Sequence, residues 1–252
     1  MDGADPGRWS GVAGDWARWW GGLAAPVWEA IIEASALGPE ARVLDVGCGA
    51  GDLLAHLDRL GMAAAGIDPA PAMAALARSR VPRAQVRVGD AMRLPWPDAH
   101  FRLVTSINAL HFAPDTLDAL AEAVRVTVPG GHVALANWAE AGRNDLAPVE
   151  AAVARAQGEE PLPDGDLRLP GGLEQLLGEG GLTVVAAGVV PVIWQAANED
   201  TLVQAILMGE EPADIAALAE TVIAAAAPFR VNGGYRLVNA FRYAVARKQP
   251  TG

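Results

Sequence analysis

"RVLDVGCGAGDLLAHL", residues 42–57, decides how the rest of the chain is read. Val43, Leu44 and Val46 form the short apolar run that a buried strand requires. Leu53, Leu54 and Leu57 recur at helical spacing. Between them stand Gly47, Gly49 and Gly51. Glycine in a strand-to-helix turn lets the backbone take positive φ and lets a ligand approach the main chain closely. The segment therefore reads as a nucleotide-type cradle. Its G-x-G-x-G spacing, with Asp45 two residues ahead, departs from the G-x-G-x-x-G of dinucleotide sites. Such a turn suits a ligand that brings no phosphate.

Working outward, strands and helices alternate. Strands are expected at 42–46, 63–67, 85–88, 101–107, 131–137, 182–194 and 235–246. Helices are expected at about 50–59, 71–79, 115–127, 172–179, 198–208 and 212–226. This rhythm predicts an α/β fold: a doubly wound, mostly parallel seven-stranded sheet whose last strand runs antiparallel. Residues 1–11 read as a loose tail. Two helices broken near Gly21-Gly22 and Pro26 follow, so residues 1–37 form a helical lid on a domain spanning 38–252. Segments 139–171 and 196–234 read as insertions able to cover a site.

"VLDVGCGAG" resembles the first motif of class I S-adenosylmethionine-dependent methyltransferases. "AAAGIDPAPAM", "VRVGDAMRLPWPDAHFRLVTSINALHF" and "VRVTVPGGHVALANW" resemble the motifs that follow, with Pro129-Gly130-Gly131 as the turn before strand five. The resemblance spans roughly residues 9–138 and resumes in the last strand. It is nearest to the small-molecule branch typified by ubiquinone and menaquinone methyltransferases and natural-product enzymes, and it implies a Rossmann-like fold with S-adenosyl-L-methionine as cofactor. By this resemblance Asp45, Gly47, Cys48 and Gly49 lie against the cofactor, and Asp68 accepts from both ribose hydroxyls, beside Pro69. Met73 covers one adenine face, Asp90 accepts from the adenine amino group and the Ala91 amide donates to a ring nitrogen. Ser106 and Ile107 hold the methionine portion.

The acceptor is expected to be a small, largely apolar metabolite, methylated at oxygen, nitrogen or carbon. His111 leaves strand four at its C-terminal end and can accept a proton near neutral pH, which makes it the candidate catalytic base. Trp16, Trp20, Asn108, His111, Trp138 and Trp194 are the candidate acceptor contacts. Five of the eight tryptophans fall in the first 28 residues, and tryptophan can stack on planar ligands. The adenine-methylating branch of the family carries a D/N-P-P-aromatic motif where this chain has Ser106-Ile107-Asn108-Ala109, which argues against DNA bases. No cysteine–histidine cluster resembles a metal site. Two alternatives share these motifs: a non-methylating enzyme such as a cyclase, and a cofactor-binding module without chemistry.

Composition sets the outer bounds. The 252 residues are 52% hydrophobic, enough for a sizeable core, and the net charge is −11. Duplex binding needs a lysine and arginine footprint, so no nucleic-acid substrate is expected, although a local basic patch is compatible with this total. The single cysteine, Cys48, forbids an intrachain disulfide and fits a cytoplasmic setting. No uncharged apolar run reaches about 18 residues, so no membrane span is expected. The alanine-rich run from Ala213 to Pro228 carries Asp214 and Glu220 and reads as a soluble helix. A monomer or homodimer is expected.

Overall fold

The computed structural model of the protein describes residues 5–38 and 40–250. The chain enters on α1 (Pro6–Trp19), capped by the Asp5 carboxylate, which accepts from the Gly7 N–H at 2.8 Å. An aspartate at the cap and a proline at the first helical position are both start signals, and they outweigh Gly7 and Gly11. The loose tail expected over 1–11 is therefore helix from residue 6 onward, and residues 1–4 lie outside the described residues.

Next come α2 (Ala25–Ala34), β1 (Arg42–Val46), α3 (Asp52–Arg59), β2 (Ala63–Asp68), α4 (Pro71–Arg80), β3 (Gln85–Val88) and β4 (Phe101–Ile107). They are followed by α5 (Thr116–Val126), β5 (Thr127–Trp138), α6 (Ala147–Ala156), α7 (Gly172–Glu179) and β6 (Thr183–Ala196). The chain closes with α8 (Glu199–Ile206), α9 (Pro212–Ala226), β7 (Arg230–Val231) and β8 (Gly234–Arg247). The sheet order is β3-β2-β1-β4-β5-β8-β6, with β7 paired to β8. Strands β1 to β5 run parallel, and β8 lies antiparallel between β5 and β6.

The seven long strands are those expected. The eighth, β7, joins β8 through Asn232-Gly233, both at positive φ (47° and 85°), the turn chemistry of a tight hairpin. Strand β5 begins four residues earlier than expected, so the anticipated Pro129-Gly130-Gly131 turn is a kink inside it, with Gly130 at φ 73°.

Both faces of the sheet are covered. One packs Leu44, Ile67, Val104 and Leu135 against Leu120 of α5 and Leu173 and Leu177 of α7. The other packs Val43, Leu103 and Val245 against Leu53 and Leu57 of α3 and Val27, Trp28 and Ile31 of α2. Thus α2 is a core layer of the sheet. Burial of each such large side chain contributes roughly 1.5–3 kcal/mol. The two insertions meet: Val149 of α6, Leu202 of α8 and Val222 of α9 share one apolar cluster with Trp20 and Trp194. Among the described residues, one helix, Pro212–Phe229, is long and apolar enough to cross a membrane by length and composition. Its Leu218, Val222 and Ala226 are buried in that cluster.

Candidate active site

Strand order reverses between β1 and β4, and ligands of open α/β sheets sit at such a point, beyond the C-terminal ends of the strands. A cleft of about 340 Å³ lies there, lined by the glycine turn, the ends of β2 and β4, and Trp9 and Trp16 of α1. The turn is held from beneath, since the Gly47 and Cys48 amides both donate to the Ile67 carbonyl, at 2.8 and 3.0 Å. A Cβ on Gly47, at φ 77°, would overlap the Ala109 side chain. A Cβ on Gly49, at φ 51°, would meet only Trp16 Nε1, at 4.0 Å. It would project into the cleft, which is the space a ligand needs against the main chain.

Asp68 ends β2 and is buried. Its Oδ2 accepts from the Gly49 N–H at 2.8 Å and its Oδ1 from the Ala70 N–H at 2.9 Å. Burial raises its pKa, and the two amides work the other way. Each carboxylate oxygen keeps capacity for a second donor. Asp90 also lines the cleft, with Oδ1 accepting from the Met92 N–H at 2.8 Å in a local turn. Met73 packs on Ala13, Ala50 and Ala70 and forms part of the cleft wall. Pro69, Ala91, Ser106, Ile107 and Asn108 complete that wall. The Ser106 hydroxyl donates to the Val46 carbonyl at 3.0 Å, and Asn108 turns the chain at φ 53° while its N–H donates to the Ala136 carbonyl at 2.7 Å.

A second cavity of about 110 Å³ shares Trp16, Gly47, Gly49, Ile107 and Asn108 with the cleft. Asp45, Cys48, Asp52, Trp20, Trp28, Trp138 and Phe241 line the rest of its wall, together with the backbone around Gly21-Gly22. The Asp45 carboxylate accepts from Thr105 Oγ1 at 2.7 Å. Burial pushes its pKa up to about 7, the Thr105 bond opposes this, and Asp68 and Asp52 add repulsion. Burial likewise raises the Cys48 thiol, helped by the same carboxylates Asp45 and Asp68. Among the described residues no lysine, arginine or histidine lines either cavity, and their charged groups are Asp45, Asp52, Asp68 and Asp90. Of these, Asp52 is ion-paired with Arg80 at 2.7 Å. The arrangement is complementary to a cation that also carries hydroxyl donors, and S-adenosylmethionine fits that description.

Two sequence-derived candidates are not brought to these cavities. His111 is exposed and lies outside both, its ring 3.9 Å from that of Phe112. Crowding by its neighbours lowers its pKa, against a hydrogen bond that the ring donates to Asn137, which raises it. The residue that turns toward the cleft is Phe112. Trp194 is buried in the helical cluster, stacked on Trp20 at 4.8 Å, with Nε1 donating to the Trp19 carbonyl at 2.7 Å. It is core. Sequence reading counted Trp9 only among the N-terminal tryptophans, and it missed Phe112 and Thr105 as the partner of Asp45. Trp9 meets Trp16 edge-on at 5.2 Å and Phe112 at 6.1 Å. The adjacent "HF" of "INALHF" signalled an aromatic at this turn, whereas nothing in the sequence pairs Thr105 with Asp45.

Comparisons with known proteins agree with this geometry. Residues 44–135 match the family described as "Methyltransferase domain". A Mycobacterium tuberculosis protein of uncharacterised role is 31% identical over 129 residues, 50% of this chain and 47% of its own length. The demethylmenaquinone methyltransferase of Deinococcus radiodurans is 39% identical over 112 residues, 42% of this chain and 46% of its own. The chain thus spans about half the length of these relatives. Among solved structures, a candidate methyltransferase of Bacillus halodurans superposes with TM-score 0.62 at 18% identity, covering 89% of this chain and 99% of its own. A solved cyclase superposes with TM-score 0.58 at 20% identity, covering 89% and 80%. These structural likenesses speak to the fold. Cleft, motif order and matched segment together make residues 44–135 similar to the class I S-adenosylmethionine-dependent methyltransferase domain, with the quinone and natural-product enzymes among the similar proteins.

Proposed function

We propose that the protein transfers a methyl group from S-adenosylmethionine to a small, largely apolar metabolite. The observation that carries this reading is a cleft at the strand ends whose charged lining is carboxylate alone, beside aromatic walls. When bound, the cofactor supplies an electrophilic methyl group on a positively charged sulfur. In this reading Asp68 holds the ribose, Asp90 and the Ala91 amide hold the adenine edge, and Met73 packs beneath the ring. Ser106, Ile107 and the Gly47–Gly49 backbone hold the methionine portion, with Asp45 behind the turn.

Trp16, Trp20, Asn108 and Trp138, joined by Trp9 and Phe112, orient an apolar acceptor and exclude water. Among the described residues no histidine or lysine lines the cavities, so the contribution of the chain is positioning, and no dedicated base is assigned. The lid role narrows from residues 1–37 to α1, whose Trp9 and Trp16 line the cleft. The lone, buried cysteine fits a reducing cytoplasm, and quinone or natural-product tailoring is the setting that the resemblance suggests. Mixing the full chain with methyl-labelled cofactor and a panel of quinols, phenols and amines, then measuring S-adenosylhomocysteine, tests the proposal.

A further inference from the structure

The end of the sheet away from the cleft has the opposite charge. Arg42 starts β1, Arg102 lies near the start of β4, and Arg247 ends the antiparallel β8. The sheet register gathers them at one end, Arg42 and Arg102 on one face and Arg247 on the other, and the ends of Arg102 and Arg247 converge at Gly130. Val43 pairs with Leu103, which sets Arg42 beside Arg102 on the neighbouring strand. His132 pairs with Leu103 on one side and with Arg247 on the other.

All three arginines are exposed, and among the described residues none makes an ion pair or a side-chain hydrogen bond. The chain carries 30 acidic residues against 19 basic ones, so carboxylates are not scarce. Asp98, the carboxylate that acts on neighbouring Lys248, is itself ion-paired with Arg125 at 2.7 Å. Uncompensated like charges in close register disfavour the fold unless an anion joins them.

The geometry between two of these arginines is that of a cradle. Arg102 and Arg247 each place a guanidinium nitrogen 3.7 Å from the position that a Cβ on Gly130 would take. Gly130 holds φ 73° and donates its N–H to the Lys248 carbonyl at 2.9 Å, which fixes the kink between them. Beneath lies His132, only 8% exposed, whose Nδ1 has no hydrogen-bond partner. Burial lowers the pKa of this imidazole, and the charges of Arg102 and Arg247 lower it further. A planar guanidinium offers two parallel N–H donors, and two such forks facing one gap match the several oxygens of a tetrahedral oxyanion.

We propose that Arg102 and Arg247, flanking Gly130 and backed by Arg42 and His132, form a binding site for a single phosphate group at the sheet end opposite the cleft. A long polyanion does not fit, because the remaining surface is acidic and repels it. The group is free phosphate or the end of a phosphorylated metabolite, and either source presents the same oxygens. The inference does not rest on methyl transfer.

Calorimetric titration of the full chain, at constant ionic strength, with inorganic phosphate and separately with methyl phosphate tests it. Saturable one-to-one binding of either supports the site, and the tighter of the two names the source. Arg102→Ala and Arg247→Ala should each weaken binding by about 10-fold or more. Arg236→Ala, at an exposed arginine nearer the other end of β8, should leave it unchanged. Without phosphate, Arg102→Ala and Arg247→Ala should melt at or slightly above the wild-type temperature, since each removes an exposed, unpaired charge from a repelling set. A shift of the His132 ring resonances on titration would locate the anion. Absence of saturation with both anions, or an equal loss in Arg236→Ala, would overturn the proposal.

Discussion

Asp68 and Gly49 are joined by a 2.8 Å hydrogen bond from the glycine amide to Oδ2, so the carboxylate that ends β2 also shapes the turn that leaves β1. Removing this carboxylate therefore has two consequences. Asp68→Ala deletes a charged acceptor for the ribose and leaves the Gly49 and Ala70 amides without their partner. Cofactor affinity should fall roughly 10- to 100-fold, and stability should fall by about 1–3 kcal/mol. Asp68→Asn keeps one acceptor oxygen and should recover part of the stability and little of the affinity. Calorimetry and melting curves on the two variants separate these effects.

Gly49 and Gly47 should fail in different ways. A Cβ on Gly49 enters the cleft, whereas one on Gly47 strikes Ala109. Gly49→Val should fold, with strain of about 1–2 kcal/mol from its positive φ, and should not bind cofactor. Gly47→Val should lose fold stability first. Circular dichroism beside a binding titration distinguishes the two, and a Gly49→Val protein that binds normally would remove the turn from the site.

Much of this is legible in the sequence. The glycine turn, the strand-ending Asp68 and the alternation of elements are local patterns, and local patterns survive folding. What was not legible depends on contacts distant in sequence. Asp45 and Thr105 lie 60 residues apart and meet only because β1 pairs with β4. Trp194 looked like a pocket residue because it is aromatic and near a strand end, yet its register places it in the cluster built by α6, α8 and α9. His111 was attractive for its chemistry, but the short 3-10 turn Leu110–Phe112 presents Phe112 to the cleft instead.

Asp45 should make both stability and binding depend on pH. Its pKa rises from 3.8 to about 7 in the fold, so the fold prefers its neutral form. The unfolded chain ionises first, and stability from this group falls as pH climbs from about 4 to 7, then levels off. Asp45→Asn should flatten that slope and stabilise the protein at pH 8 by on the order of 1–4 kcal/mol. A cationic ligand favours the ionised carboxylate, so cofactor affinity should rise with pH up to about 7 and the variant should lose this dependence. Melting and binding measured from pH 4 to 8 check both signs.

His111→Ala should change turnover by no more than about threefold, far below the 10²–10⁴ that a general base contributes. Its ring lies outside both cavities and bonds Asn137. Steady-state rates at saturating acceptor decide this, and a hundredfold loss without a fall in melting temperature would restore His111 as the base.

The most direct measurement counts products. The full chain is incubated with methyl-labelled S-adenosylmethionine and the acceptor panel, and S-adenosylhomocysteine and labelled product are quantified together, in wild type and in Asp68→Ala. Methyl transfer predicts the two products in one-to-one ratio from the wild type and a steep loss in the variant. An acceptor converted without S-adenosylhomocysteine, or cofactor bound tightly with no transfer to any member of the panel, would contradict it.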